Sequence, residues 1–88
     1  MVAWALYFTG QAQKDAKKIS RTSLKPQAEF LLEILRKNPF QNPPPYEKLV
    51  GDLAGVCSRR INSQHRLIYQ ILKKERAVKI IRMWTHYA

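Results

Sequence analysis

Between Asn38 and Glu47 stand Pro39, Pro43, Pro44 and Pro45. A proline fixes its own φ and has no N–H to donate, so this stretch excludes helix and favours an extended connection. It also divides the chain by pattern, with helical spacing of apolar residues before it and strand-like runs after it. In a chain of 88 residues neither side can fold alone, so the prolines join two parts of one domain spanning residues 1–88.

Ahead of the prolines, Val2 to Phe8 is rich in β-branched and aromatic residues and stops at Thr9-Gly10. That reads as a buried strand. Thr9 is placed to cap a helix running to Ile19, with Ala12, Ala16 and Ile19 on one face. A second helix is expected from about Ser23 to Lys37, with Pro26 in its first turn, where the missing N–H costs nothing. Its apolar stripe is Ala28, Leu31, Leu32 and Leu35, supported by Phe30 and Ile34. Asn38-Pro39 ends it. After the prolines, Val56 to Ile61 and Arg66 to Leu72 flank the polar turn Asn62-Ser63-Gln64-His65 and read as a β-hairpin. Val78 to Trp84 supplies a further strand. The expected fold class is therefore α+β: an N-terminal strand, a two-helix hairpin, then an antiparallel β-meander, with the helices on one face of a mostly antiparallel sheet.

Sixteen Lys and Arg against six Asp and Glu leave a net charge of +10. Such a balance excludes basic partners and favours nucleic acid, an acidic protein or an anionic surface. Hydrophobic residues reach 45%, enough for a core, so this is not a disordered basic tail. One cysteine, Cys57, excludes an internal disulfide framework and a CxxC zinc cluster, which suits a reducing compartment. The apolar opening is too short to span a bilayer and has no charged region before it. The expectation is a soluble cytoplasmic protein with no membrane partner.

Five of the seven arginines, Arg59, Arg60, Arg66, Arg76 and Arg82, fall in the strand half. Arginine's planar fork suits bidentate contact with phosphate. Strand parity puts Arg60 on one face with Ser58, and Arg66 on a face opposite Leu67, Tyr69 and Ile71. If those three face the helices, Arg66 projects from the open face. His65 and His86 lack metal-ligand spacing, and with three glycines there is no phosphate-cradling loop, so no metal and no cofactor is expected. Cys57 beside two arginines is a conceivable nucleophile, but a small buried hydrophobe is the commoner role.

Cleaving RNA with its own 2′-hydroxyl requires a base for that hydroxyl, an acid for the leaving 5′-oxygen and cations around the phosphorus. Glu47 as base, His86 as acid and Arg66 with Arg60 as clamp satisfy that list. The plainer account is a solvated loop carboxylate, a frayed terminus carrying His86 and Tyr87, and a solvated sheet face. Composition by itself favours the plainer account.

The order of motifs shifts that balance. Asn38-Pro39-Phe40 with Pro43 to Leu49, Leu53-Ala54-Gly55, Ser58-Arg59-Arg60-Ile61, Gln64-His65-Arg66-Leu67-Ile68-Tyr69 and Trp84-Thr85-His86-Tyr87 closely resemble the Txe/YoeB family of bacterial toxins. That family lies within the RelE/ParE superfamily, and the resemblance runs over nearly the whole chain. It implies a RelE-like microbial RNase-type fold and a ribosome-dependent endoribonuclease, an mRNA interferase that cuts mRNA in the A site and leaves a 2′,3′-cyclic phosphate. It assigns catalytic roles to Glu47, Arg66, His86 and Tyr87 and a phosphate-binding role to Arg60. Arg59, Lys48, Lys79 and Arg82 are expected to add RNA or phosphate contacts. The implied partners are a cognate acidic antitoxin, ribosomal RNA and mRNA, within a heteromeric toxin–antitoxin complex and with a homodimer possible. Val50, where the pattern has a basic residue, Cys57 in place of a tryptophan and Ala88 after the tyrosine depart from it. Two alternatives remain: a non-catalytic toxin of the gyrase-directed branch, and a plain basic RNA-binding module.

Overall fold

The computed structural model describes residues 3–49 and 55–86, the last three by backbone alone. In chain order the elements are β1 (Ala5–Phe8), α1 (Gly10–Ile19), α2 (Lys25–Lys37), β2 (Glu47–Lys48), β3 (Val56–Arg60), β4 (His65–Leu72) and β5 (Ala77–His86). They form one five-stranded sheet in the order β1-β5-β4-β3-β2. β1 runs parallel to β5, with Ala5 opposite Ala77, and every other pairing is antiparallel. The expected α+β architecture is present, with the first strand lying beside the last.

Thr9 joins sheet to helix. Its Oγ1 accepts the Ala12 N–H at 3.0 Å, capping α1, and donates to the Ile81 carbonyl at 2.9 Å. α2 begins at Lys25, two residues later than expected, because Leu24 at its N-cap offers no side-chain acceptor and Pro26 sits in its first turn. Ala12 and Ile19 of α1 and Ala28, Leu31 and Leu35 of α2 pack on Cys57, Ile61, Leu67, Tyr69, Val78, Ile80 and Met83. Burying each large aliphatic side chain contributes about 1.5–3 kcal/mol. Phe30, expected to support that stripe, is 53% exposed instead. At 100° per residue it falls between Leu31 and the solvent side of the helix.

β2 is the element that periodicity missed. Glu47 closes the stretch expected to be an extended connection, and it and Lys48, for which no element was expected, pair with Ser58 and Cys57 at the edge of the sheet. Two residues carry no period of their own, so only the neighbouring strand defines them. Among the described residues no helix is long and apolar enough to cross a membrane.

Candidate active site

With the helices covering one face of the sheet, alternate side chains of β3 and β4 emerge on the other. Register then sets their neighbours. Glu47 lies opposite Ser58, and Arg60 opposite Arg66. These four side chains, with Pro44, Pro45 and Tyr46 as a wall, line a groove of about 230 Å³. That is below the ~300–1,000 Å³ of pockets that enclose a small molecule.

Glu47 Oε2 stands 3.5 Å from Arg66 Nη1, and the glutamate side chain is 68% exposed while the arginine is 15% exposed. Arg66 also donates from Nη1 to Ser58 Oγ at 3.3 Å. The arginine is thus held from below by a neutral oxygen, and its carboxylate partner faces solvent. Because the carboxylate side of the pair is solvated, an incoming phosphate can compete with it for the guanidinium. Among the residues expected to act, the structure therefore brings Glu47, Arg60 and Arg66 together. Ser58 and the Pro44–Tyr46 wall are additions. Parity had already put Ser58 on the face of Arg60, and that was the available signal.

The C-terminal pair is only partly described. β5 carries the backbone of His86 opposite His65 and that of Thr85 opposite Arg66, so His86 is at the groove's end of the sheet. Its side chain, together with Tyr87, Val50 and Ala88, lies outside the described residues.

Four expected RNA contacts are placed elsewhere. Arg59 is 1% exposed on the helix-covered side of β3 and turns its guanidinium onto loop carbonyls and the Tyr69 hydroxyl, so it is a buried structural cation and not a phosphate ligand. Burial pushes the Tyr69 hydroxyl up to about 12, against the opposing pull of Arg59, so the phenol stays neutral and accepts the bond. Lys48, alternating with Glu47, points to the other side of the edge strand and lines a separate hollow with Phe40, Cys57 and Lys73. Burial also pushes the Cys57 thiol up despite Lys48 and Arg59, which disfavours the thiolate a nucleophile needs. Lys79 is exposed but registered with Tyr7 and Gln70, about 13 Å along β4 from Arg66.

Arg82 is tied to α1. β1 ends its pairing at Ile80, and beyond that point Asp15 Oδ2 takes over as acceptor for the Met83 N–H at 3.0 Å and Arg82 Nε at 2.9 Å. Gln11 donates to the other carboxylate oxygen at 3.2 Å. Burial alone would raise the Asp15 carboxyl. The bonds from Arg82, Met83 and Gln11 outweigh it and hold the group below the ordinary aspartate value. Arg82 therefore serves the junction of sheet and helix rather than the groove.

The chain is similar to known proteins over nearly its whole length. The family model of the YoeB-like toxin of bacterial type II toxin–antitoxin systems matches residues 3–87. The toxin YoeB of Synechocystis sp. is 36% identical over 86 residues, covering 98% of this chain and 90% of that protein. The YoeB–YefM complex from Staphylococcus aureus contains a chain 31% identical with a TM-score of 0.78, covering 96% of this chain and 98% of that one. A YoeB dimer from the same organism is 30% identical with a TM-score of 0.80, over the same shares of the two chains. On sequence, fold and extent alike, the chain belongs to the YoeB-like toxins of bacterial type II toxin–antitoxin systems.

Proposed function

We propose that this toxin is a ribosome-dependent endoribonuclease that cleaves mRNA by 2′-hydroxyl attack. The observation that carries the reading is the exposed Glu47 carboxylate 3.5 Å from Arg66, in a groove that Arg60 also lines. A base beside two phosphate-seeking guanidiniums is what transesterification needs. Glu47 takes the 2′-hydroxyl proton, Arg66 neutralises charge on the phosphorane, and Arg60 holds the phosphate. His86 protonates the departing 5′-oxygen, and Tyr87 orients the phosphate or stacks on a base. The backbone of His86 lies at the end of β5, on the far side of Arg66 from β2, which is consistent with an in-line displacement between Glu47 and His86. The products are a 2′,3′-cyclic phosphate and a 5′-hydroxyl. DNA, lacking the 2′-hydroxyl, is inert.

The YoeB–YefM complex supports an antitoxin as partner, and the S. aureus dimer supports self-association. A net charge of +10 suits both ribosomal RNA and an acidic antitoxin segment competing for the same groove. The reading places the protein in the cytoplasm, where ribosomes are.

The test is single-turnover cleavage on ribosomes. Glu47→Gln keeps the shape and removes the acceptor, and is expected to slow cleavage roughly 10²–10⁴-fold with little change in ribosome affinity. His86→Ala costs a similar factor on normal mRNA. On a substrate with sulfur as the 5′-bridging atom, His86→Ala recovers most of its rate, since a thiolate leaves without an acid, and Glu47→Gln does not. Rescue of Glu47→Gln instead exchanges the two roles. Growth arrest with intact mRNA and inhibited supercoiling returns the gyrase alternative.

A further inference from the structure

We propose that Arg59 is a positioning residue for Glu47, acting through the proline loop; the proposal rests on the reading of Glu47 as the base. The loop between α2 and β2 contains four prolines, so it has few N–H groups with which to satisfy its own carbonyls. Arg59 supplies the donors from outside. Its Nη1 donates to the Pro44 carbonyl at 2.6 Å, and its Nη2 to those of Pro39 at 3.0 Å and Gln41 at 2.8 Å. Its Nε donates to the Tyr69 hydroxyl at 2.9 Å, which fixes the plane of the fork against the core. The guanidinium carbon also lies 4.8 Å from the centroid of the Tyr46 ring, the residue immediately before Glu47.

One guanidinium thus holds the loop at Pro39, Gln41, Pro44 and Tyr46, and the chain passes directly from there into Glu47. Among the described residues no carboxylate pairs with it, so its charge is met by carbonyl dipoles and an aromatic face. A neutral side chain fills that volume but leaves three carbonyls without donors, and a lysine ammonium lacks the planar span to reach all of them. The strand that carries it completes the argument. Ser58 and Arg60, on either side of Arg59, reach the groove from the opposite face of β3. The same strand therefore holds the phosphate side of the groove with one face and the loop that delivers the base with the other. The separation of base and clamp is set where Arg59 sits.

The experiment is a double-mutant cycle on ribosome-bound mRNA cleavage, with wild type, Arg59→Lys, Glu47→Gln and the double variant. Arg59→Lys is expected to slow single-turnover cleavage about 10–100-fold, as misplacing a catalytic group by an ångström does. Ribosome affinity is expected to change less than about threefold, because the arginine is buried. In the Glu47→Gln background the same substitution is expected to cost less than about twofold. A full multiplicative loss in the double variant, or no loss in Arg59→Lys, overturns the proposal. If Arg59→Lys fails to fold, Tyr69→Phe releases only the Nε bond, and the same non-additivity is required of it. Amide exchange supplies a readout independent of cleavage. Gln41 and Glu47 lose protection in Arg59→Lys while β4 and β5 keep theirs, and a uniform change or none overturns the proposal. A wild-type protein that cuts no mRNA removes the base reading of Glu47, and the hold of Arg59 on the loop is then decided by exchange alone.

Discussion

Arg59 and Arg60 are consecutive residues of β3 with the same side chain and the same charge. One is 1% exposed beneath the proline loop, while the other lines the groove beside Arg66. The pleat alone separates them, since successive side chains leave a strand on opposite faces. The face toward the helices is closed by the loop and the core. There a guanidinium must spend its donors on protein atoms. On the helix-free face the same group keeps donors available for a ligand. Charge counted along the chain does not distinguish these fates; the side of the sheet does.

The comparison is broken most directly by removing each arginine in turn. Arg59→Met is expected to lower unfolding free energy by about 3–5 kcal/mol, because it strips the donors from three loop carbonyls and the Tyr69 hydroxyl. Arg60→Ala is expected to stay within about 0.5 kcal/mol. Urea midpoints measure both, and equal losses would abolish the distinction.

A smaller effect sharpens it at the other end of the sheet, where Asp15 is buried and its Arg82 partner is 40% exposed. Asp15→Ala leaves the Met83 N–H without its acceptor and is expected to cost about 1–3 kcal/mol. Acid titration reads the same contact. The Asp15 carboxyl is held below its ordinary value of 3.8 in the folded protein, so as pH falls the unfolded chain takes up the proton first. Its contribution is present above about pH 4 and is lost below it as the folded carboxyl titrates. Arg82→Ala is expected to shrink that acid sensitivity in urea melts at pH 3 and pH 6, and an unchanged difference would remove Arg82 from the account.

The smallest effects belong to the helix-free face. Arg60→Ala is expected to reduce the log–log salt slope of ribosomal RNA binding by about 0.7, the share of one single-strand phosphate. Lys79→Ala, on the same face but remote from Arg66, is expected to leave cleavage of the bound complex nearly unchanged. A large loss in that rate for Lys79→Ala would extend the site along β5.

Much of this was legible in the chain itself. Helix and strand periods located both helices and the three long C-terminal strands, because each is long enough to repeat its pattern against the core. β2 was not legible: Glu47 and Lys48 become a strand only through hydrogen bonds to Ser58 and Cys57. The pairing of β1 with β5 escaped for a related reason, since no local pattern names a partner some seventy residues away. For the groove, parity was the informative signal. It put Arg60 with Ser58; applied to Arg59 it gives the other face, but the clustering of arginines led to a common phosphate-binding role being expected for both. Arg82 was obscured differently. Its partner Asp15 lies on a helix whose position against β5 depends on the whole sheet.

The parallel pairing of Ala5 with Ala77 bears on how the protein comes to exist at all. The groove is local, its lining drawn from residues 44–66, but a hairpin with a two-residue edge strand is not stable by itself. β5 must enter between β1 and β4 before β1 joins the sheet or β4 has both neighbours, and that closes a loop across most of the chain. Closure of such a loop comes before the contacts that reward it, so folding is expected on the slower, millisecond-to-second scale of non-local topologies. While the chain is being synthesised, the glutamate and arginines of the groove are made before β5, and their edge of the sheet is expected to become stable only once β5 arrives.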